Sequence, residues 1–273
     1  MLGKCLESVK EKTPLIHNIT NYVTVNDVAN VLLASGGSPI MSDEPDDVVD
    51  ITSICGGLNI NIGTLNERSI EAMFISGKKS KELGHIVLLD PVGAGASKLR
   101  TETALKIINE IKPDVIRGNI SEIKTLASGS GTTKGVDAHN ADIVTDDNLA
   151  SMVGFAKAFS KKTGAVIAIT GAIDLVADSE RCYVIRNGSP IMSRITGTGC
   201  MLSALATAYA VANPDNITEA VVAAVCLMGL AGEIGVSKTK ESEGNSSLRN
   251  HIIDAIYNMD AEKLMKGAKY EVR

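Results

Sequence analysis

Between Val23 and Ile169 the hydrophobic positions change period again and again, from helical spacing to short apolar runs. Helical spacing predicts helices at about 24–35, 45–55, 66–83, 101–111 and 121–128. The runs between them predict strands at Pro39-Ile40-Met41, Leu58 to Ile62, Ile86 to Leu89 and Val115-Ile116. Such alternation makes parallel βαβ units. Ile86-Val-Leu-Leu89 is apolar throughout, as in a central strand covered on both faces, whereas Leu58-Asn-Ile60-Asn-Ile62 alternates.

Further along, a helix near 147–162 and a strand at Ala165 to Ile169 precede Leu175-Val-Ala177 and Cys182-Tyr-Val-Ile185, which predict a hairpin around Asp178-Ser-Glu and an antiparallel edge to the sheet. Past Thr196 the spacing is helical at 199–212, 217–235, 246–258 and 260–267, so helices cover the strands already made. The most apolar stretch, Ala220 to Gly232, lies between Glu219 and Glu233 and is well short of the ~20 residues that span a bilayer. It predicts a buried helix. Gly129 to Val144, rich in Gly, Ser, Thr and Asn, predicts a mobile surface loop. Without linker or repeat, residues 1–273 are expected to form one α/β domain, a sheet sandwiched by helices.

Composition narrows the function. With no Trp and three Phe, the core must be aliphatic, and aromatic stacking on bases is disfavoured. A net charge of −5 offers no polycation for nucleic-acid phosphates or an anionic membrane. Charges within the first seven residues, with no long apolar run behind them, argue against a secretory signal and for a cytoplasmic chain. Five widely spaced cysteines without Cys-x-x-Cys argue against disulfides and structural zinc.

In a wound sheet, ligands collect beyond the carboxyl ends of the strands. The residues there are Met41-Ser42, Gly63-Thr64, Asp90-Pro91-Val92-Gly93, Arg117-Gly118-Asn119 and Thr170-Gly171. Apart from Met41, which suits a pocket wall, they are glycines with charged or hydroxyl groups, a set fitted to phosphate and metal. Thr196-Gly197-Thr198-Gly199-Cys200 then runs straight into a helix. Unpaired N–H groups and the positive end of the dipole at a helix start bind oxyanions. The same field is expected to lower a thiol's pKa, making Cys200 a candidate base. These residues equally fit a tight turn carrying an inert buried cysteine.

Other signals stay double-edged. Gly129-Ser-Gly-Thr-Thr-Lys134 lacks the glycine a P-loop places before its lysine, and neither Gly93-Ala-Gly95 nor Gly197-Thr-Gly199 completes a dinucleotide fingerprint. Asp90 reads as a metal-facing carboxylate or as a turn-forming Asp-Pro. Asn119 and Glu122 open a helix and fit a variant of the capping box. His17 reads as a turn residue, and His85, His139 and His251 as structural or solvated.

Together, Asp90-Pro-Val-Gly-Ala-Gly, Arg117-Gly-Asn-Ile-Ser-Glu122, Ile169-Thr-Gly171, Gly197-Thr-Gly-Cys200 and His17-Asn-Ile-Thr-Asn21 resemble, in order and spacing, the hydroxyethylthiazole kinases of thiamine salvage, over about residues 13–260. The resemblance implies a ribokinase-like three-layer α/β/α sandwich, mostly parallel with an antiparallel edge. It implies ATP- and Mg²⁺-dependent phosphorylation of the alcohol of 4-methyl-5-(2-hydroxyethyl)thiazole. It assigns Arg117, Thr170 and Asn119 to ATP, Met41, Gly197 and Asn21 to the thiazole, and Glu122 and Asp90 to the metal. Gly197, Thr198, Gly199 and Cys200 become an anion hole with Cys200 as base, where many ribokinase-like enzymes carry Asp. A homotrimer with sites near the subunit boundaries is also implied. Kinases of hydroxymethylpyrimidine or pyridoxal, an ATP-dependent dehydratase and a nucleotide-sensing module remain as alternatives.

Overall fold

In the computed structural model, which describes residues 1–129 and 143–273, nine strands form one sheet in the order β2-β1-β3-β4-β5-β6-β7-β8-β9. The first six places in that order are parallel: β2 (Ser38–Met41), β1 (Leu15–Ile19), β3 (Gly57–Asn61), β4 (Ile86–Asp90), β5 (Val115–Asn119) and β6 (Val166–Thr170). The expected hairpin follows as β7 (Asp174–Ala177) and β8 (Cys182–Ile185), and β9 (Tyr270–Val272) closes that edge, all antiparallel. Most of the loop expected at 129–144 lies outside the described residues.

Helices cover both faces. Against one pack α3 (Val48–Ile54), α4 (Glu67–Glu82), α5 (Lys98–Glu110), α6 (Ile120–Ser128) and α7 (Leu149–Thr163), whose apolar stripes meet Leu58, Ile60, Val87, Leu89, Ile116 and Ile167. Against the other pack α1 (Leu2–Lys12), α2 (Val25–Ser35), α8 (Thr198–Ala212), α9 (Ile217–Lys238), α10 (Asn245–Tyr257) and α11 (Ala261–Gly267). Helix α9 is long and apolar enough to cross a membrane, yet 72% of its most apolar window is buried here, so it is the central helix of that layer. Both α8 and α9 lie under neighbours on nearly every side, which is why their sequences show no clean polar face.

Three features differ from the sequence reading. Leu15–Ile19, read as a turn around His17, is the second strand of the sheet. Its polar side chains hid it, because distant parts of the chain satisfy them: Asn59 in β3 donates to Asn18 Oδ1 at 3.0 Å, and His17 pairs with Thr52 in α3 and the Ser42 carbonyl beyond β2. Helix α1 was not expected although Leu2, Cys5, Leu6 and Val9 stand at helical spacing, and the short exposed strand β9 was not expected either. The alternation in β3 does not mark a solvent face, since Asn59 and Asn61 are as buried as Ile60 between them. Its polar face meets the opening turns of α8, and there the site is built.

Candidate active site

Side chains alternate along a strand, so Asn61, Asp90, Arg117 and Thr170 all project from the carboxyl ends of β3 to β6 on the α8 side of the sheet. Asp90 is fully buried. Its Oδ2 accepts from Asn61 Nδ2 and Ser203 Oγ, each at 2.8 Å, and faces Arg117 Nη1 at 3.5 Å; its Oδ1 has no protein partner. Burial pushes the Asp90 carboxyl upward, opposed by Arg117, Ser203 and Asn61. Arg117 also donates to Thr170 Oγ1 at 2.5 Å.

The turn into α8 needs both its glycines. Gly197 has φ +87°, and a Cβ there would stand 2.5 Å from Thr24 Cγ2; one at Gly199 would stand 2.5 Å from Arg117 Nη1. The first helical rung is Met201 N–H to Gly197 O, so the amides of Thr198, Gly199 and Cys200 precede the ladder. Cys200 Sγ accepts from Asn21 Nδ2 at 3.2 Å and from Asn61 Nδ2 at 3.3 Å. Contrary to the lowering expected from the helix field, the thiol is pushed up, first by burial and then by Asp90, while Thr24, Asn21 and Arg117 pull it down. At this position burial and a neighbouring carboxylate set the direction of the shift.

Glu122 forms the expected capping box: its Oε2 accepts from the Asn119 N–H, and the Asn119 side chain accepts from the Glu122 N–H. Its Oε1 accepts from Gly93 N–H at 2.8 Å, tying α6 to the turn after β4. Burial, then the Asp90 charge, pushes Glu122 up to about 7.

The start of α8 stands between a cavity and a packed apolar cluster. On one side a cavity of about 410 Å³ is walled by Arg117, Asn119 and Thr170, floored by Thr198 and Gly199, and closed at the far end by Asn187 to Pro190, Met192 and Met228. On the other, half-buried Met41 packs on the small cluster that contains Cys200, with Asn21 beside the sulfur. The sequence reading missed Asn61, Ser203, Thr24 and Asp174. Ser203 had a signal, one helical turn beyond Cys200; Asp174, which accepts from Gly171 N–H and is pushed by burial to about 7, had none.

The chain as a whole is matched by known proteins. The model of the hydroxyethylthiazole kinase family matches residues 6–262. The chain belongs to that family. A hydroxyethylthiazole kinase of Clostridium acetobutylicum is 61% identical over 271 residues, 99% of each chain, and one of Methanocella arvoryzae is 40% identical over 268, covering 98% of this chain and 97% of that one. Among solved structures, the hydroxyethylthiazole kinase protein of Pyrococcus horikoshii superposes with TM-score 0.88 at 30% identity, covering 100% of this chain and 98% of that one. A pyridoxal kinase of Staphylococcus aureus, at TM-score 0.60 and 14% identity over 95% of this chain and 98% of its own, shares the ribokinase-like fold. This family member is therefore a kinase, a phosphotransferase on the three-layer scaffold that its sequence led us to expect.

Proposed function

We propose that the enzyme transfers the γ-phosphoryl group of ATP to the hydroxyl of 4-methyl-5-(2-hydroxyethyl)thiazole in thiamine salvage. The observation that carries this reading is the position of Cys200 Sγ, on the same helix turn whose other side floors the Arg117–Thr170 cavity. A donor phosphate at that turn and an alcohol beside the sulfur would meet across the amides of Thr198 to Cys200.

Phosphoryl transfer is mainly a matter of alignment and charge neutralisation. Arg117 and Thr170 suit the ATP phosphates, with Asn119 on the same wall. Gly197 to Cys200 hold the moving group through backbone N–H groups. Met41, Gly197 and Asn21 bound the thiazole side. Cys200 receives the alcohol proton; because an alcohol is far less acidic than a thiol, the proton moves late, as the new P–O bond forms.

Asp90 and Glu122 fit Mg²⁺. Both are oxygen donors, the buried Asp90 Oδ1 lacks a protein partner, and each carboxyl is held above its ordinary range, first by burial. When bound, the ion neutralises phosphate charge. The enzyme works in the cytoplasm as a homotrimer: Tyr22 and Val23, next to Asn21, are 78% and 58% exposed, an apolar rim that a second copy would cover.

The test is ATP consumption with the thiazole and Mg²⁺, followed by mass detection of the phosphate ester. Rates with hydroxymethylpyrimidine and pyridoxal are expected to be lower. Absence of ester at millimolar thiazole would refute the proposal, and a faster rate on either rival alcohol would reassign the substrate.

A further inference from the structure

Asn61 has no part in the reading above, yet all four of its hydrogen-bonding positions are used. It is 1% exposed at the end of β3. Its amide hydrogens go to Asp90 Oδ2 at 2.8 Å and Cys200 Sγ at 3.3 Å, and its Oδ1 accepts from Gly63 N–H at 2.9 Å and Asn21 Nδ2 at 3.0 Å. A backbone N–H can only donate, so Gly63 fixes the oxygen end and turns the NH₂ end onto the carboxylate and the sulfur. Asn21 is oriented in the same way, its Oδ1 accepting from Thr24 Oγ1 at 3.1 Å while its NH₂ meets Cys200 Sγ. The sulfur thus rests between two amide donors whose direction is set by Gly63 and Thr24.

We propose that Asn61 is a positioning residue of the transfer reaction, holding Cys200 Sγ apart from Asp90 and supplying an N–H donor to the thiolate that takes the alcohol proton. This rests on the kinase reading of the site. In the step concerned the thiolate takes the hydroxyl proton, the alcohol oxygen bonds to the γ-phosphorus, and the bond to the bridging oxygen breaks, its electron pair leaving with ADP. Hydrogen bonds to the charged form favour it, and bonds to an ionised acceptor are the stronger kind. The charged groups bearing on the sulfur are Asp90 from β4 and Arg117 from β5; Asn21, Asn61 and Thr24 face it uncharged. Among these, only Asn61 touches both the sulfur and the carboxylate.

The test is Asn61→Asp, which keeps the oxygen facing Gly63 and replaces the donor end with an acceptor. Cys200, 9% exposed, is the least covered of the five cysteines, so its alkylation by iodoacetamide can be followed against pH by peptide mass. The expected result is a midpoint for Cys200 alkylation about one pH unit higher, an ascending limb of kcat against pH that moves with it, and kcat at neutral pH down about tenfold. Asn59→Ala, two residues earlier on the same face and equally buried, removes an amide that touches neither sulfur nor Asp90 and is expected to move neither midpoint nor limb. Should Asn61→Asp lack a cooperative melt, Asn61→Ser is read the same way. An unmoved alkylation midpoint overturns the proposal, as does a moved midpoint with an unmoved kcat limb. Failure of the parent enzyme to phosphorylate the thiazole sinks the kinase reading instead, and the alkylation arm still reports whether Asn61 governs the sulfur.

Discussion

Gly199→Ala separates stability from catalysis at one position. Gly199 lies in the first turn of α8 without a left-handed φ, so alanine suits its backbone and gains about 0.5–1 kcal/mol of helix stability. Its Cβ, however, would stand 2.5 Å from Arg117 Nη1, 2.8 Å from Nη2 and 3.0 Å from Cζ. Ordinary contact requires the guanidinium to retreat by roughly 1 Å, at an off-rotamer cost of about 0.5–1.5 kcal/mol that nearly cancels the helix gain. The retreat breaks the 2.5 Å bond to Thr170 Oγ1 and lengthens the 3.5 Å approach to Asp90. A misplacement of about 1 Å costs on the order of 100-fold in a reaction that depends on alignment. Chemical denaturation should therefore place the variant within about 1 kcal/mol of the parent, while steady-state assays with varied ATP show the large loss. Unaltered kcat and ATP KM in a stably folded Gly199→Ala would refute the role given to Arg117.

Cys200→Ala is expected to lower kcat about 100-fold with little change in thiazole affinity, read by initial rates and by calorimetric titration; unaltered turnover removes the base assignment. Gly197→Ala forces a left-handed φ on a residue with a Cβ and drives that Cβ into Thr24, so urea midpoints should report a loss of about 1–2 kcal/mol or more. His17 is held below its ordinary pKa of 6.5, first by burial, so the unfolded chain binds the extra proton. Its contribution to stability is present above pH 6.5 and lost as pH falls, by up to about 1.4 kcal/mol per pH unit, and His17→Gln should remove that slope. Glu122 works in the opposite sense: raised from 4.5 to about 7, it favours folding fully below pH 4.5 and loses that contribution as pH climbs to about 7, a trend that Glu122→Gln should flatten.

What could be read from the sequence divides along physical lines. Helices with one wet face and strands made only of aliphatic residues announced themselves by period, as α4 and β4 show, and the glycines of Gly197-Thr-Gly199 marked the turn that both sides of the site share. The polar interior could not be read in this way. Leu15–Ile19 looks like a turn because His17 and Asn18 are polar, and only the sheet order reveals Thr52, Ser42 and Asn59 as their partners. Asn61 was hidden for the same reason: alternation in β3 looks identical whether the second face meets water or α8. The pKa of Cys200 was misread because the helix dipole is local to the sequence, whereas Asp90 and the layers that bury the thiol come from distant parts of the chain.

The two helical layers also impose an order of synthesis. The layer of α3 to α7 is complete once residue 163 has been made, and β6 follows immediately. The opposite face of the same sheet has only α1 and α2 by then and waits for α8 to α11, which end at residue 267. A growing chain therefore carries a half-dressed sheet, apolar on its open side, until nearly all of it has left the ribosome. Helices α8 and α9, apolar on nearly every side, have that open face as their destination, so until they dock the incomplete chain shows apolar surface of the kind that aggregates.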